Sequence, residues 1–168
     1  MTATSAPPRI VVMGVSAAGK STVAKGVAEA LGIPFVDADD LHPPSNVTKM
    51  AGGEALTDDD RAPWLTLVGE ALANAERGLV IACSALRRRY RDQIRDAASD
   101  AFFIFLDADP ALLRARAAAR ANHFMPPALL HSQLATLEPL EADEPGVRID
   151  VEPAPEMVIA EAIKSIKT

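Results

Sequence analysis

The sequence predicts an α/β protein, a three-layer α/β/α sandwich around a five-stranded parallel sheet. Short runs rich in Val and Ile alternate along the chain with longer segments whose apolar residues recur at helical spacing. The run at residues 101–106 is almost wholly apolar, as expected for a strand of a parallel sheet that is covered on both faces. Because strands and helices alternate, we expect right-handed crossovers between parallel strands.

The predicted elements follow one another without a long linker. Strands are predicted over residues 9–13, 35–36, 79–83, 101–106 and 147–151. Helices are predicted around residues 23–31, 47–50, 62–77, 87–97, 110–120, 128–137 and 155–166. Residues 37–60 are rich in Asp, Pro and Gly and are interpreted as mainly a loop-borne insertion, a kind of segment that often carries function. No repeat divides the chain, so residues 1–168 are expected to form a single domain.

Composition and charge narrow the function classes. The formal net charge of -6 argues against nucleic acid as a partner. No apolar segment approaches the roughly 18 residues needed to cross a bilayer, and residues 1–8 lack the charged start and apolar middle of a signal peptide. We therefore expect a cytoplasmic protein without a membrane partner.

The strongest motif is a phosphate-binding loop between the first predicted strand and the first predicted helix. Gly14-Val15-Ser16-Ala17-Ala18-Gly19-Lys20-Ser21 has every residue type of the P-loop pattern, in the setting that the pattern requires. Backbone N–H groups of such a loop point inward and bind phosphate oxygens. Lys20 is expected on the β and γ phosphates, Ser21 on Mg²⁺, and Thr22 beside a neighbouring phosphate. The motif predicts ATP and Mg²⁺ as cofactors, and the alternative is a fortuitous glycine-rich turn.

Further motifs extend over most of the chain. They are Val12 to Ser16, Asp37-Ala38-Asp39-Asp40-Leu41-His42-Pro43, Asn46 to Met50, Asp60-Arg61-Ala62-Pro63-Trp64-Leu65, Ala82-Cys83-Ser84-Ala85-Leu86, Arg88, Tyr90-Arg91-Asp92, His123-Phe124-Met125, Ser132-Gln133 and Leu137-Glu138. In this order and spacing the chain resembles the gluconate kinases of the thermoresistant type, a branch of the P-loop small-molecule kinases that also includes the shikimate kinases.

The resemblance implies a P-loop kinase fold with a mobile lid at about residues 114–138. It also implies D-gluconate as the phosphate acceptor, at its C6 hydroxyl, and a homodimer. The chain departs from the family pattern where Ala17-Ala18 replaces Gly-Ser and where Ala38 replaces Gly. If either position requires a positive φ, alanine there costs on the order of 1 kcal/mol, which changes affinity or stability without abolishing the chemistry.

The resemblance assigns roles to two aspartates after the second predicted strand. Asp37 resembles the carboxylate that reaches Mg²⁺, through water, and Asp39 resembles the one that holds and deprotonates the acceptor hydroxyl. Asp39 is therefore the predicted catalytic base. The alternative is a solvated acidic turn, which is common before a Pro-rich loop.

Cations are needed for the carboxylate of gluconate, and hydrogen-bond partners for its hydroxyls. By resemblance, Lys49, Arg61 and Arg88 lie around the acceptor pocket together with His42. Spacing alone does not distinguish a pocket arginine from one on the surface, so surface placement stays open for each. Trp64 fits core packing as well as stacking on a sugar, and we leave it outside the predicted site.

Several arginines precede His123 on one predicted helix, where this kinase class carries its lid. Arg120 is predicted to contact the transferring phosphate, and with Lys20 and Asp39 it completes the predicted catalytic set. Arg116 is predicted on the nucleotide side, and His123 either contacts substrate or closes the lid helix. The alternative is an exposed Arg-rich helix face.

Two other functions remain open on sequence grounds. One is a different metabolite kinase of the same fold, such as a shikimate kinase, because a fold alone does not determine the substrate. The other is a non-catalytic module that binds ATP as a switch. The presence of Asp39, Lys49 and Arg61 argues against the switch, since such a module needs no acceptor-side chemistry.

Overall fold

Five parallel strands form one sheet in the order β2-β3-β1-β4-β5. The structure is a computed structural model that describes residues 6–119 and 127–167. Its strands are β1 (Arg9–Met13), β2 (Phe35–Asp37), β3 (Leu79–Ala82), β4 (Phe102–Asp107) and β5 (Gly146–Asp150). The predicted five-stranded parallel sheet is confirmed, and each strand lies within one or two residues of its predicted position.

Helices cover both faces of the sheet. They are α1 (Lys20–Leu31), α2 (Pro44–Ala51), α3 (Asp58–Ala73), α4 (Arg88–Ala97), α5 (Pro110–Ala119), α6 (Pro127–Thr136) and α7 (Pro155–Lys167), with a 3-10 turn at Ala38–Leu41. None of the helices in the described ranges is long and apolar enough to cross a membrane.

The core consists of two apolar clusters, one on each face of the sheet. Ile10 and Val12 of β1 belong to the cluster that also contains side chains of α1 and α7. Val11 and Met13 belong to the cluster that contains side chains of α3 and α4. This alternation follows from the two-residue period of a strand, so β1 has a fully buried central position and separates the two helical layers. Each such buried aliphatic side chain stabilises the fold by about 1.5–3 kcal/mol.

The parallel strands bring their carboxyl ends to a single edge of the sheet. The loop after β1 carries the predicted phosphate site, and β2 ends at Asp37, two strands away from β1. Val12 lies in register with Ala82, and Asp37 with the same Ala82. Ligands of open α/β sheets bind beyond this edge, so the topology brings the predicted phosphate and acceptor residues together.

Residues 37–60 contain more helix than the sequence analysis predicted. α2 spans eight residues and begins with Pro44 in its first turn, where the missing N–H of proline costs nothing. α3 runs over Asp58–Ala73, and the predicted range of 62–77 was wrong at both ends. The reason is a capping box: Thr57 Oγ1 accepts from Asp60 N at 3.1 Å, and Asp60 Oδ2 accepts from Thr57 N at 2.8 Å.

A buried ion pair anchors the chain after α6. Arg91 and Glu144 both have fully buried side chains, and Arg91 Nε donates to Glu144 Oε1 at 2.7 Å. Burial opposes ionisation of Glu144, but hydrogen bonds from Arg91 and from the backbone of Glu141 outweigh it and lower the pKa of Glu144 to about 2. Removing one member would leave a buried charge unpaired, so the pair holds residues 138–144 against α4.

Candidate active site

The phosphate loop, residues 14–22, joins β1 to α1. Gly14 has φ 146°, and a Cβ there would lie 2.7 Å from the carbonyl oxygen of Leu106 on β4. Gly19 has φ 88° and caps the N-terminus of α1. Both positions therefore favour glycine, and Gly14 requires it because the neighbouring strand leaves no room. The loop leads directly into a helix N-terminus, where backbone N–H groups and the helix dipole attract anions.

The side chains of the phosphate loop are held by neighbouring groups. Lys20 Nζ donates to the carbonyl oxygen of Val15 at 3.1 Å, which folds the ammonium group over the loop. The N–H of Ser16 donates to Oε1 of Gln133 on α6 at 2.7 Å. Gln133 thus accepts a hydrogen bond from a backbone N–H group of the kind that binds phosphate oxygens in such loops.

The two family departures differ in backbone conformation. Ala17 has φ 72°, in the left-handed region, so the expected strain at this position is present. Ala38 is fully buried in the 3-10 turn and does not have a positive φ. The replacement of glycine is therefore costly at Ala17 and imposes no backbone strain at Ala38.

A cavity of about 380 Å³ opens beside the phosphate loop. It is lined by Ala17, Ala18, Gly19, Thr22, Val23, Arg116, Ala119, Val151, Pro153, Pro155 and Val158. The lining is mostly apolar, and Arg116 is held at its edge by a hydrogen bond of 3.3 Å to the carbonyl oxygen of Glu152. A planar heterocycle attached to phosphates in the loop would fit this combination of apolar walls and one cation. Arg116 therefore borders a cavity beside the phosphate loop, and its predicted contact with the nucleotide stays a prediction.

The predicted metal-side carboxylate, Asp37, ends β2, and the predicted base, Asp39, lies in the 3-10 turn that follows. Asp37 Oδ1 accepts from the N–H of Asp39 at 3.0 Å, which fixes the turn between them. The Asp39 side chain is 84% exposed. Partial desolvation by neighbouring groups and the charge of Asp37 raise the pKa of Asp39, while His42 and Lys20 oppose the rise. Lys20 of the phosphate loop therefore acts electrostatically on Asp39, so the two side chains are near neighbours at this edge of the sheet.

Near Asp39, the residue after the 3-10 turn and residues of α2 and α3 form what we call the acceptor wall. It is made of His42, Asn46, Lys49, Arg61 and Trp64. The imidazole of His42 stacks on the indole of Trp64, with ring centroids 4.2 Å apart and an interplanar angle of 15°. Trp64 Nε1 donates to the carbonyl oxygen of Ala38 at 2.7 Å. His42 Nε2 lies 3.9 Å from Asp39 Oδ1, beyond hydrogen-bond distance.

Two cations of the acceptor wall already have acidic partners. Lys49 Nζ donates to Asp60 Oδ2 at 2.6 Å, and together with the backbone N–H of Thr57 this contact lowers the pKa of Asp60 to about 2. Arg61 Nη1 lies 3.3 Å from the hydroxyl of Tyr90 and 3.8 Å from Asp58 Oδ1. The structure therefore brings Lys49 and Arg61 to the same wall as His42.

Arg88 has a different position from the other predicted acceptor cations. Its guanidinium binds Asp92 Oδ1 at 3.1 Å, Glu141 Oε2 at 2.5 Å and Asp143 Oδ1 at 2.8 Å. These carboxylates belong to α4 and to the segment after α6. A substrate carboxylate would have to compete with all of them for Arg88.

The remaining predicted residues divide into two groups. Ser21 and Thr22 lie in the exposed first turn of α1. Ser21 and Asp37 offer a hydroxyl and a carboxylate, the oxygen donors that Mg²⁺ prefers. Within residues 6–119 and 127–167, no three His, Cys, Asp or Glu side chains cluster as a metal site, which is compatible with an ion held largely by nucleotide phosphates and water. Arg120 and His123 lie outside the described residues.

Sequence reasoning assigned no role to Trp64, Asn46 and Gln133, which the structure places in or beside the site. All three were matched to the family pattern as residue types only. Helical spacing correctly indicated that Trp64 packs inward, and its exposed fraction is 5%. No pattern in a single sequence shows that Asn46 is buried or that Gln133 reaches the phosphate loop.

Comparisons with known proteins agree with this arrangement. A family model described as an AAA domain matches residues 10–140. A gluconokinase from Gluconobacter oxydans (strain 621H) is 48% identical over 161 residues, which cover 94% of this chain and 90% of that protein. The thermoresistant gluconokinase of Escherichia coli (strain K12) is 42% identical and covers 94% and 92% of the two chains.

A solved structure is similar to this chain in both fold and sequence. The crystal structure of a gluconokinase from Sinorhizobium meliloti 1021 superimposes with a TM-score of 0.88 at 45% identity, over 96% of this chain and 93% of that chain. The similarity extends over nearly the whole of both chains. The chain belongs to the gluconokinase family.

Proposed function

We propose that this protein transfers the γ-phosphoryl group of ATP to the C6 hydroxyl of D-gluconate, giving 6-phospho-D-gluconate and ADP. The observation that carries the proposal is the electrostatic influence of Lys20 on Asp39, which supports a candidate base near the phosphate loop. Gluconokinases with 42–48% identity support the choice of gluconate over shikimate.

The nucleotide side of the cleft binds ATP. The backbone N–H groups of residues 14–22 and the ammonium of Lys20 hold its phosphates, and the cavity bounded by Arg116 and Pro153 takes the adenine ring. Mg²⁺, held by Ser21 and Asp37 with phosphate oxygens, would neutralise charge on the transferring group. Asp37 is close enough to Asp39 to raise its pKa, so a cation beside Asp37 also favours the ionised base.

The acceptor side of the cleft supplies the base. Asp39 accepts the proton of the C6 hydroxyl as the oxygen forms its bond to phosphorus and the bond from phosphorus to the ADP oxygen breaks. A base of this kind must be accessible to the substrate and near the γ phosphate. The 84% exposed side chain of Asp39 supports the first point, and the influence of Lys20 on its pKa supports the second.

The carboxylate of gluconate is bound by cations of the acceptor wall. Arg61 is the leading residue, because it influences His42 on one side and contacts the hydroxyl of Tyr90 on the other. Lys49 assists while it remains paired with Asp60. Arg88 and His123 are also proposed to bind the substrate, although Arg88 must then leave its carboxylate partners.

Residues 114–138 form a lid over the nucleotide. Arg116 and Gln133 support this proposal, since the first borders the nucleotide cavity and the second binds the phosphate loop. Arg120 supplies positive charge to the transferring phosphoryl group when the lid closes. We further propose a single domain over residues 1–168, a homodimer and a cytoplasmic location, as the family resemblance implies.

A substrate panel tests the proposed function. Purified protein is mixed with Mg-ATP and D-gluconate, other aldonates, shikimate or nucleoside monophosphates, and both ADP and the phosphorylated product are measured. We expect turnover with D-gluconate and its loss on addition of EDTA, with recovery by excess Mg²⁺. Preference for shikimate or a nucleotide would refute the acceptor assignment, and ADP release without any stimulating acceptor would favour an ATP-dependent switch.

A further inference from the structure

Asn46 is a buried polar residue next to the proposed acceptor site. Its side chain is on α2, the residue is 4% exposed, and its amide nitrogen has two neighbours. Nδ2 lies 2.9 Å from the backbone carbonyl oxygen of Asp60 and 3.3 Å from Nδ1 of His42. A buried amide that donates both of its hydrogens in hydrogen bonds has one stable orientation. That orientation determines which ring nitrogen of His42 carries the proton.

The neighbour on α3 fixes which way the amide points. A backbone carbonyl oxygen only accepts hydrogen bonds, so the atom of Asn46 that faces Asp60 must be the NH₂ group. The second hydrogen of the same NH₂ group then points at Nδ1 of His42, which must accept it. In a neutral imidazole whose Nδ1 accepts, the proton is on Nε2.

The surroundings keep His42 neutral and fix its ring plane. Burial, with a smaller contribution from Arg61, lowers the pKa of His42, and the charge of Asp39 opposes this only in part. Stacking on Trp64 fixes the ring, and the indole is itself tied to the carbonyl oxygen of Ala38. A half-turn flip of the imidazole would place carbon atoms where Nδ1 and Nε2 now lie, and the contact between Nδ1 and Asn46 would be lost.

The Nε2–H of His42 points toward Asp39. Nε2 of His42 and Oδ1 of Asp39 are 3.9 Å apart, too far for a direct hydrogen bond. A hydroxyl oxygen can nevertheless lie at about 2.8 Å from both atoms, since these distances form a triangle. Such a hydroxyl would donate its proton to Asp39 and accept a hydrogen bond from His42, which orients its remaining lone pair.

We propose that Asn46 is a positioning residue for phosphoryl transfer: it holds His42 as the Nε2–H tautomer, so that His42 donates to the acceptor hydroxyl bound by Asp39. The proposal rests on the proposed function for its acceptor hydroxyl. The tautomer itself does not depend on turnover, so the two can be tested separately.

The first measurement is the tautomer of His42 in the unmodified protein. Long-range ¹H–¹⁵N correlation spectra of the imidazole groups distinguish a protonated from an unprotonated ring nitrogen. His42, His123 and His131 are the histidines of the chain, and the His42→Gln variant assigns the signals. We expect an unprotonated Nδ1 and a protonated Nε2. A protonated Nδ1 would overturn the proposal without any variant of Asn46.

The second measurement uses Asn46→Asp, which keeps the shape but replaces the donor with an acceptor. His42 should then carry a proton on Nδ1. The kcat with D-gluconate should fall on the order of 100-fold, the loss that accompanies a misplacement of the reacting group near 1 Å. The KM for ATP should be unchanged. Thr48→Val on the exposed side of the same helix is the matched control, and it should leave both the spectrum and kcat as they are.

The outcomes separate the proposal from its alternatives. An Nε2–H tautomer that persists in Asn46→Asp, or a changed tautomer with unchanged kcat, would overturn the role of Asn46. If Asn46→Asp does not fold, Asn46→Ala provides the same comparison, because it also removes the donor to Nδ1. Failure of the unmodified protein to phosphorylate gluconate would refute the proposed function, and the wild-type spectrum would still report on the tautomer.

Discussion

The phosphate loop and the acceptor wall lie at the same edge of the sheet but are built in different ways. The phosphate loop obtains its shape from backbone geometry within nine residues, with positive φ values at Gly14, Ala17 and Gly19. The acceptor wall depends on side chains far apart in sequence, such as the hydrogen bond between Trp64 and Ala38. Substitutions should therefore act through the backbone in the loop and through side-chain contacts in the wall.

The largest expected effect is a loss of kcat, without a loss of ATP affinity, when a residue on the acceptor side is changed. Asp39→Asn keeps the size of the side chain but removes the proposed base, so kcat with D-gluconate should fall about 10³-fold. The dissociation constant of ATP should stay within a factor of about two, because the phosphate loop is untouched. Steady-state kinetics and calorimetric ATP titration measure the two quantities.

The adjacent aspartate provides the control for this variant. Asp40 is exposed and has no proposed role in the chemistry, so Asp40→Asn should leave kcat near the wild-type value. Equal losses in the two variants would show that the acidic turn as a whole matters, and not one proton acceptor.

A backbone substitution tests the phosphate loop in the same way. Gly14→Ala would place a Cβ 2.7 Å from the carbonyl oxygen of Leu106, at a φ of 146°. The clash involves a strand of the central sheet that cannot retreat, so the free energy of unfolding should decrease by about 3 kcal/mol. Urea denaturation measures the change.

Gly19→Ala is the matched control in the same loop. Its φ of 88° is also left-handed, but no atom lies within 4 Å of the added Cβ. The cost should be only about 1 kcal/mol, from backbone strain. A loss as large as that of Gly14→Ala would mean that the contact with Leu106 contributes nothing.

The sequence predicted the phosphate loop better than the acceptor wall, and the reason is physical. The loop follows from a contiguous motif whose glycines are required by local backbone angles, and the alternating apolar runs predicted all five strands. The wall depends on which side chains meet after folding, and spacing does not contain that information. Asn46 therefore carried no signal, and the acidic partners of Arg88 were equally invisible.

Helix boundaries show the same limit on a smaller scale. The apolar spacing of Trp64, Leu65 and Val68 correctly predicted the buried face of α3. It did not locate the start of the helix, which the polar pair Thr57 and Asp60 determines by reciprocal hydrogen bonds. Asp60 also binds Lys49, and its backbone carbonyl accepts from Asn46, so this helix start supports the acceptor wall.

A smaller effect is expected when one long-range contact of the wall is removed. Trp64→Phe keeps a ring that can stack on His42 but leaves the buried carbonyl oxygen of Ala38 without its donor. The free energy of unfolding should decrease by about 1–2 kcal/mol, and KM for D-gluconate should rise while KM for ATP does not. Thermal denaturation and kinetics with each substrate varied in turn measure these changes. A rise in KM for ATP alone would contradict the assignment of Trp64 to the acceptor side.

The smallest expected effect is a gain in stability within the phosphate loop. Ala17→Gly restores the residue type usual in this family at a position with φ 72°. Relief of backbone strain should exceed the entropy cost of glycine, so the free energy of unfolding should rise by about 0.5–1 kcal/mol. Ala38→Gly, the other departure from the family pattern, should instead lower it by about 1 kcal/mol, because Ala38 is fully buried without a positive φ. Paired urea denaturation curves of the two variants measure both signs. If both variants are stabilised, or neither is, backbone conformation does not explain the difference between the two positions. Alanine in place of glycine would then not be costly at position 17 because of its positive φ.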